Sequence, residues 1–67
     1  MNLFVSRLSE LLKVCGKQQT EVSRDLKISK HKLTNWKTGY DEPSMDELIM
    51  LAKYFEVTTD YLLGLDD

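Results

Sequence analysis

One cysteine, one histidine, one proline and three glycines stand among 67 residues, and each scarcity excludes something. A single thiol forms no internal disulfide, so packing must hold the fold. A lone histidine and a lone cysteine, with no acids clustered beside them, supply neither a base and nucleophile pair nor a metal ligand set. Catalysis, cofactors and metals are therefore not expected. Hydrophobic runs long enough to span a bilayer are missing, as is the basic start, apolar stretch and small-residue cleavage site of a secretory signal. The expected location is the cytoplasm. Repeats, low-complexity segments and linkers are also lacking, so residues 1–67 read as a single domain, one that buries only about 60% of its unfolded surface.

Positive charge is short as well, with nine Lys or Arg against eleven acids and a net charge of −2. The sum hides a split. Residues 1–40 carry eight Lys or Arg against Glu10, Glu21 and Asp25, whereas residues 41–67 carry Lys53 alone against eight acids. At a Debye length of roughly 8 Å, a polyanion lying on the basic part feels the near face and little of the far one. A net acidic chain can thus bind phosphates, although a basic balance is the usual signature. The acidic portion serves either as a solubilising surface or as a contact for a protein partner.

Within the basic part, residues 19–37 read QTEVSRDLKISKHKLTNWK. Val22 and Leu26 are four apart, Leu33 and Trp36 three apart, so each segment has one apolar face at helical spacing. Lys27-Ile28-Ser29 separates them. Ser29 suits the N-cap of the second segment, where its oxygen can take up an unpaired amide, and Ile28 plugs the corner. Helices of about eight residues are marginal alone, so each must pack on the other and on the rest of the domain. The outward positions of the second are then free for function. They are Lys30, His31, Lys32, Thr34, Asn35 and Lys37, with no carboxylate among them. A merely solvated helix usually mixes both signs of charge, whereas this face carries donors suited to phosphate oxygens and base edges.

Ahead of this pair, Phe4, Leu8, Leu11 and Cys15 recur at spacings of three and four. They make an amphipathic first helix within residues 1–15, widened by Val5 and Leu12 and closed by Gly16. Cys15 fits as a small buried hydrophobe, since a reactive thiol needs exposure and nearby cations. The second helix opens at Gln18-Gln19. Thr38-Gly39 stops the third helix, and residues 40–43 form a short loop. Ser44-Met45-Asp46-Glu47 is a capping box, in which the serine oxygen and the glutamate side chain each satisfy a backbone amide. The fourth helix presents Met45, Leu48, Ile49, Leu51, Ala52 and Phe55, its methionines filling the core or its edge. Glu56-Val57 turns the chain, and Thr58 or Thr59 caps a last helix ending at Gly64, with Asp60 favourably placed in its first turn. Tyr61, Leu62, Leu63 and Leu65 exceed what one core contact needs, which points to a dimer interface.

These residues, in this order and with these gaps, resemble the phage repressor and Cro-like helix-turn-helix family of bacterial and phage transcription regulators. The matching positions are Arg7-Leu8, Leu11, Gly16, Gln19, Val22, Ile28-Ser29, Leu33, Trp36 and Gly39, then Glu42-Pro43-Ser44, Leu48, Leu51-Ala52, Val57-Thr58 and Asp60-Tyr61-Leu62-Leu63-Gly64. The resemblance implies an all-α, five-helix lambda-repressor-like domain with its helix-turn-helix at about 19–37. It implies a sequence-specific regulator of transcription, a repressor by default, whose helix 30–37 reads double-stranded DNA in the major groove. It further implies a homodimer on a pseudo-palindromic operator, with recognition helices about 34 Å apart. Base contacts carried over from the family fall on Lys30, His31 and Asn35, with Lys32 and Thr34 behind them. Lysine can donate to guanine O6 and N7, and asparagine can pair with adenine N6 and N7. Gln19, Ser29, Thr38 and Tyr40 match positions that hold the sugar-phosphate backbone, and Lys37 adds another phosphate contact.

Three positions depart from the family pattern. Lys27 replaces the turn glycine, so it must accept a positive φ at about 1 kcal/mol or force another turn. Ser23 stands where a small alanine is usual, which is tolerable if its hydroxyl bonds back to a helix carbonyl. An Arg and Glu that often pair between the first and third helices are here Leu12 and Lys37. Losing both together leaves no single charge stranded.

Overall fold

Three of the five amphipathic stretches start on a side-chain cap, and three are followed by a glycine of positive φ. The computed structural model describes residues 3–65 and contains α1 (Phe4–Val14), α2 (Gln19–Leu26), α3 (Lys30–Thr38), α4 (Met45–Phe55) and α5 (Thr59–Leu63). No strand occurs among the described residues. The hydroxyls of Ser29, Ser44 and Thr58 each accept the amide three residues on, and Glu47 returns the bond to the Ser44 amide. Thr58, not Thr59, is therefore the last cap. At the other ends, Gly16, Gly39 and Gly64 have positive φ, the conformation that ends a helix with least strain.

Two helices stop in the left-handed region without glycine. Lys27 has φ 58° after α2, the first of the two alternatives left open for a glycine-free turn, and Glu56 has φ 56° after α4, which nothing in Glu56-Val57 announced. The turn holds because Ile28 donates its amide to the Ser23 carbonyl and sits half-buried against the core. Ser23 is itself buried, and its hydroxyl reaches the Thr20 carbonyl at 3.0 Å.

All five helices feed one core of Phe4, Leu8, Val22, Leu26, Leu33, Trp36, Leu51, Ala52 and Leu62. α1 packs on α3 and α5, α2 on α3 and α4, and α4 on α5. Trp36 and Leu33 are fully enclosed, so the inner face of α3 is clamped and its axis is fixed relative to the body. Fully burying side chains of this size is worth roughly 1.5–3 kcal/mol each.

Several apolar positions lie further out than periodicity suggested. Met45 is 82% exposed and Ile49 45%, because the stripe of α4 that meets the core runs Leu48, Leu51, Ala52, Phe55. Val5 is also exposed, at the edge of α1, and Cys15 is half-buried, its thiol 3.4 Å from the Leu12 carbonyl. Leu62 goes the other way. It is completely enclosed by its own chain, so it cannot belong to a subunit interface as expected.

Candidate nucleic-acid interface

With Leu33 and Trp36 turned inward, helical geometry decides what α3 shows to solvent. His31, Thr34, Asn35 and Thr38 stand at i, i+3, i+4 and i+7, a stripe opposite the buried pair. Asn35 is half-buried and the other three are exposed. The stripe holds no lysine, arginine or carboxylate. Its cations lie to either side.

On one flank, towards α1 and α2, are Lys30 and Lys37. Gln19, at the first position of α2, reaches across to this flank. Its side-chain amide donates to the Thr34 hydroxyl at 2.8 Å, and its oxygen accepts from Lys37 Nζ at 3.3 Å. Gln19 thereby fixes the distance between the start of α2 and the middle of α3. Gln19, Thr20, Lys30, His31 and Thr34 line an open groove between the two helices. Ser9 of α1 donates to the Lys37 carbonyl at 3.4 Å, and Ser9, Leu12, Lys13, Gln19 and Lys37 surround a neighbouring hollow. The positions where an Arg and Glu pair is common, Leu12 and Lys37, do face one region, and Lys37 is held there by a neutral amide.

On the other flank, towards α4, stands Lys32. Its Nζ forms an ion pair with the Glu47 carboxylate and lies 5.9 Å from the Trp36 ring centroid. Lys32 therefore folds back along α3 towards α4, away from the stripe. Glu47 is bonded on both oxygens, accepting the Ser44 amide through Oε1 at 2.8 Å and Lys32 through Oε2. The Lys32 bond, followed by the Ser44 amide, holds the Glu47 carboxyl below its ordinary range.

Of the positions expected to hold the DNA backbone, Thr38 lies at the end of the stripe and the others lie around it. Ser29 caps α3 with its hydroxyl on the Lys32 amide. Thr38 donates to the Thr34 carbonyl at 3.0 Å, and Tyr40 stands 82% exposed just past the end of α3. Asp41 follows, its amide 3.1 Å from the Asn35 carbonyl.

Sequence spacing did not reveal a second polar cluster that braces α2. The Tyr54 hydroxyl donates to Asp25 at 2.6 Å, and Lys17 Nζ donates to Asp25 at 3.1 Å and to the Tyr54 oxygen at 3.2 Å. Tyr54 and then Lys17 hold the Asp25 carboxyl below its usual value, while the Asp25 bond pushes the Tyr54 hydroxyl up. Residues separated by 29 and 37 positions meet only once α4 has docked on α2, so no local pattern announced them.

A helix pair with one helix clamped and its polar stripe turned outward is the form of a helix-turn-helix. The sequence model of the helix-turn-helix domain family matches residues 5–67, and the chain belongs to that family. Its relatives include the HTH-type transcriptional regulators ImmR and AnsR of Bacillus subtilis. ImmR is 38% identical over 61 residues, covering 91% of this chain and 48% of the relative. AnsR is 39% identical over 64 residues, covering 96% and 53%. A solved transcriptional regulator from Listeria innocua superposes with a TM-score of 0.88 at 27% identity, covering the whole of this chain and 63% of that one. This chain thus spans about half the length of the curated relatives it matches. The five-helix, all-α expectation agrees with that fold, and these relatives are named as regulators of transcription. No helix among the described residues is long and apolar enough to cross a membrane.

Proposed function

We propose that this domain binds double-stranded DNA sequence-specifically and regulates transcription, most simply as a repressor, by inserting α3 into the major groove. The observation that carries the reading is the outward stripe of His31, Thr34, Asn35 and Thr38 on a helix whose inner face is locked. Nine residues of helix span about 13 Å, and the major groove is about 12 Å wide. Asn35 and His31 are the base readers at the centre, with Thr34 and Lys30 beside them. Gln19, Ser29, Lys37, Thr38 and Tyr40 hold the sugar-phosphate backbone around that contact.

Two copies related by a two-fold axis place two such helices one DNA turn apart, which favours a pseudo-palindromic operator. With Leu62 enclosed and the Arg7 guanidinium 4.2 Å over the Tyr61 ring, Leu63 and the exposed Leu65 are what remains, of the four residues expected at a dimer interface, for a second subunit. The test is selection of duplexes from a random pool, followed by titration of Asn35→Ala. Loss of about 1–3 kcal/mol confined to one base position per half-site supports base reading. An equal loss on every sequence makes Asn35 a backbone contact, and failure to enrich any duplex overturns the proposal.

A further inference from the structure

The two flanks of α3 treat their lysines differently. Once α3 lies in a major groove, each flank faces one of the two phosphate backbones. Lys37 is held by the neutral Gln19 side chain, which leaves its charge uncompensated. Lys32 is held by a carboxylate that is itself anchored at the start of α4 by the Ser44 amide. The connection from α3 and the first turn of α4 carry no lysine or arginine of their own.

We infer that Glu47 is a specificity-determining residue, an internal stand-in for a DNA phosphate that keeps Lys32 off the backbone and so limits sequence-independent attraction at α3. This rests on the DNA-binding reading above. Specific binding is judged against non-specific binding, and the latter is almost wholly phosphate neutralisation. Removing one cation from the phosphate count lowers the affinity for random DNA, while the base contacts of the stripe stay as they are. The capping box keeps Glu47 in place. Swinging towards solvent to release Lys32 would also break its bond to the Ser44 amide.

Glu47→Gln isolates the charge. The glutamine oxygen can still accept the Ser44 amide, leaving its NH2 group towards Lys32, with which it cannot pair. Lys32→Met keeps the apolar stem over Trp36 and removes the cation. Binding of the wild type, both single variants and the double variant is measured by fluorescence anisotropy against a random-sequence duplex and a duplex selected from a pool, over a range of salt. Glu47→Gln should steepen the log-log salt dependence by about 0.9 and tighten random-duplex binding on the order of eightfold at 0.1 M salt. Lys32→Met alone should leave the slope unchanged, and the double variant should return to it.

A slope already lowered by about 0.9 in Lys32→Met would show Lys32 on a phosphate in the wild type and overturn the inference. So would a Glu47→Gln variant, folded by circular dichroism, whose binding matches the wild type. In either case the DNA-binding reading survives. A wild type that binds no duplex overturns both.

Discussion

The flank of α3 beside α2 and the flank beside α4 each place a lysine against a side chain from another helix, but with different consequences. Gln19 positions Lys37 without neutralising it, whereas Glu47 positions Lys32 and cancels its charge. A count of lysines on a helix therefore overstates its attraction for phosphate. What matters is the formal charge of whatever holds each one. The same lesson applies to the whole chain, where an acidic total coexists with a basic part.

The comparison can be broken most drastically by removing the hinge between the flanks. Trp36 is enclosed and lies beneath Lys32, so Trp36→Ala should destabilise the domain by about 3–5 kcal/mol, read as a lowered denaturant midpoint. A loss below about 1 kcal/mol would mean that α3 is not clamped as described. Next in size is Lys37→Met. Because Gln19 is neutral, this variant should lose about 0.9 from the salt slope, in contrast to Lys32→Met, and equal behaviour of the two would erase the difference between the flanks.

A smaller effect tests the turn that sets the angle between α2 and α3. Lys27→Gly relieves a left-handed residue but loosens the unfolded chain, for a net gain of about 0.5–1 kcal/mol. Thermal unfolding should show a raised midpoint, and an unchanged or lower one would count against this turn. The smallest effect is that of pH. Glu47 is held below its ordinary carboxyl range, so its stabilisation is fully present above the unfolded-state value near 4.3 and fades as pH falls through the lower folded-state value. Glu47→Gln should make the acid limb of the stability curve shallower, and an identical limb would show that the ion pair contributes nothing.

Much of this architecture is legible in the residues because its signals are local. Ser29, Ser44 and Thr58 cap helices within three residues of themselves, and Val22, Leu26, Leu33 and Trp36 betray their burial by spacing. At Lys27 the missing glycine narrowed the choice to a left-handed residue or another turn, and the left-handed one is adopted. Glu56 adopts the same conformation without any such requirement being visible. Periodicity assigns a face but does not say how far the core extends along it, which is why Met45 and Ile49 were expected further in and Leu62 further out. The site divides in the same way. The outward residues of α3 follow from its period, but the partners of Lys32, Lys37 and Asp25 come from other helices and depend on docking angles that no short window contains.

The first and last described turns of the chain meet. Leu3 places its amide 3.4 Å from the Leu63 carbonyl, and its side chain fills the space that a Cβ on Gly64 would occupy. The start of α1 is thus fastened to the end of α5, so neither helix can fray at that seam without loosening the other.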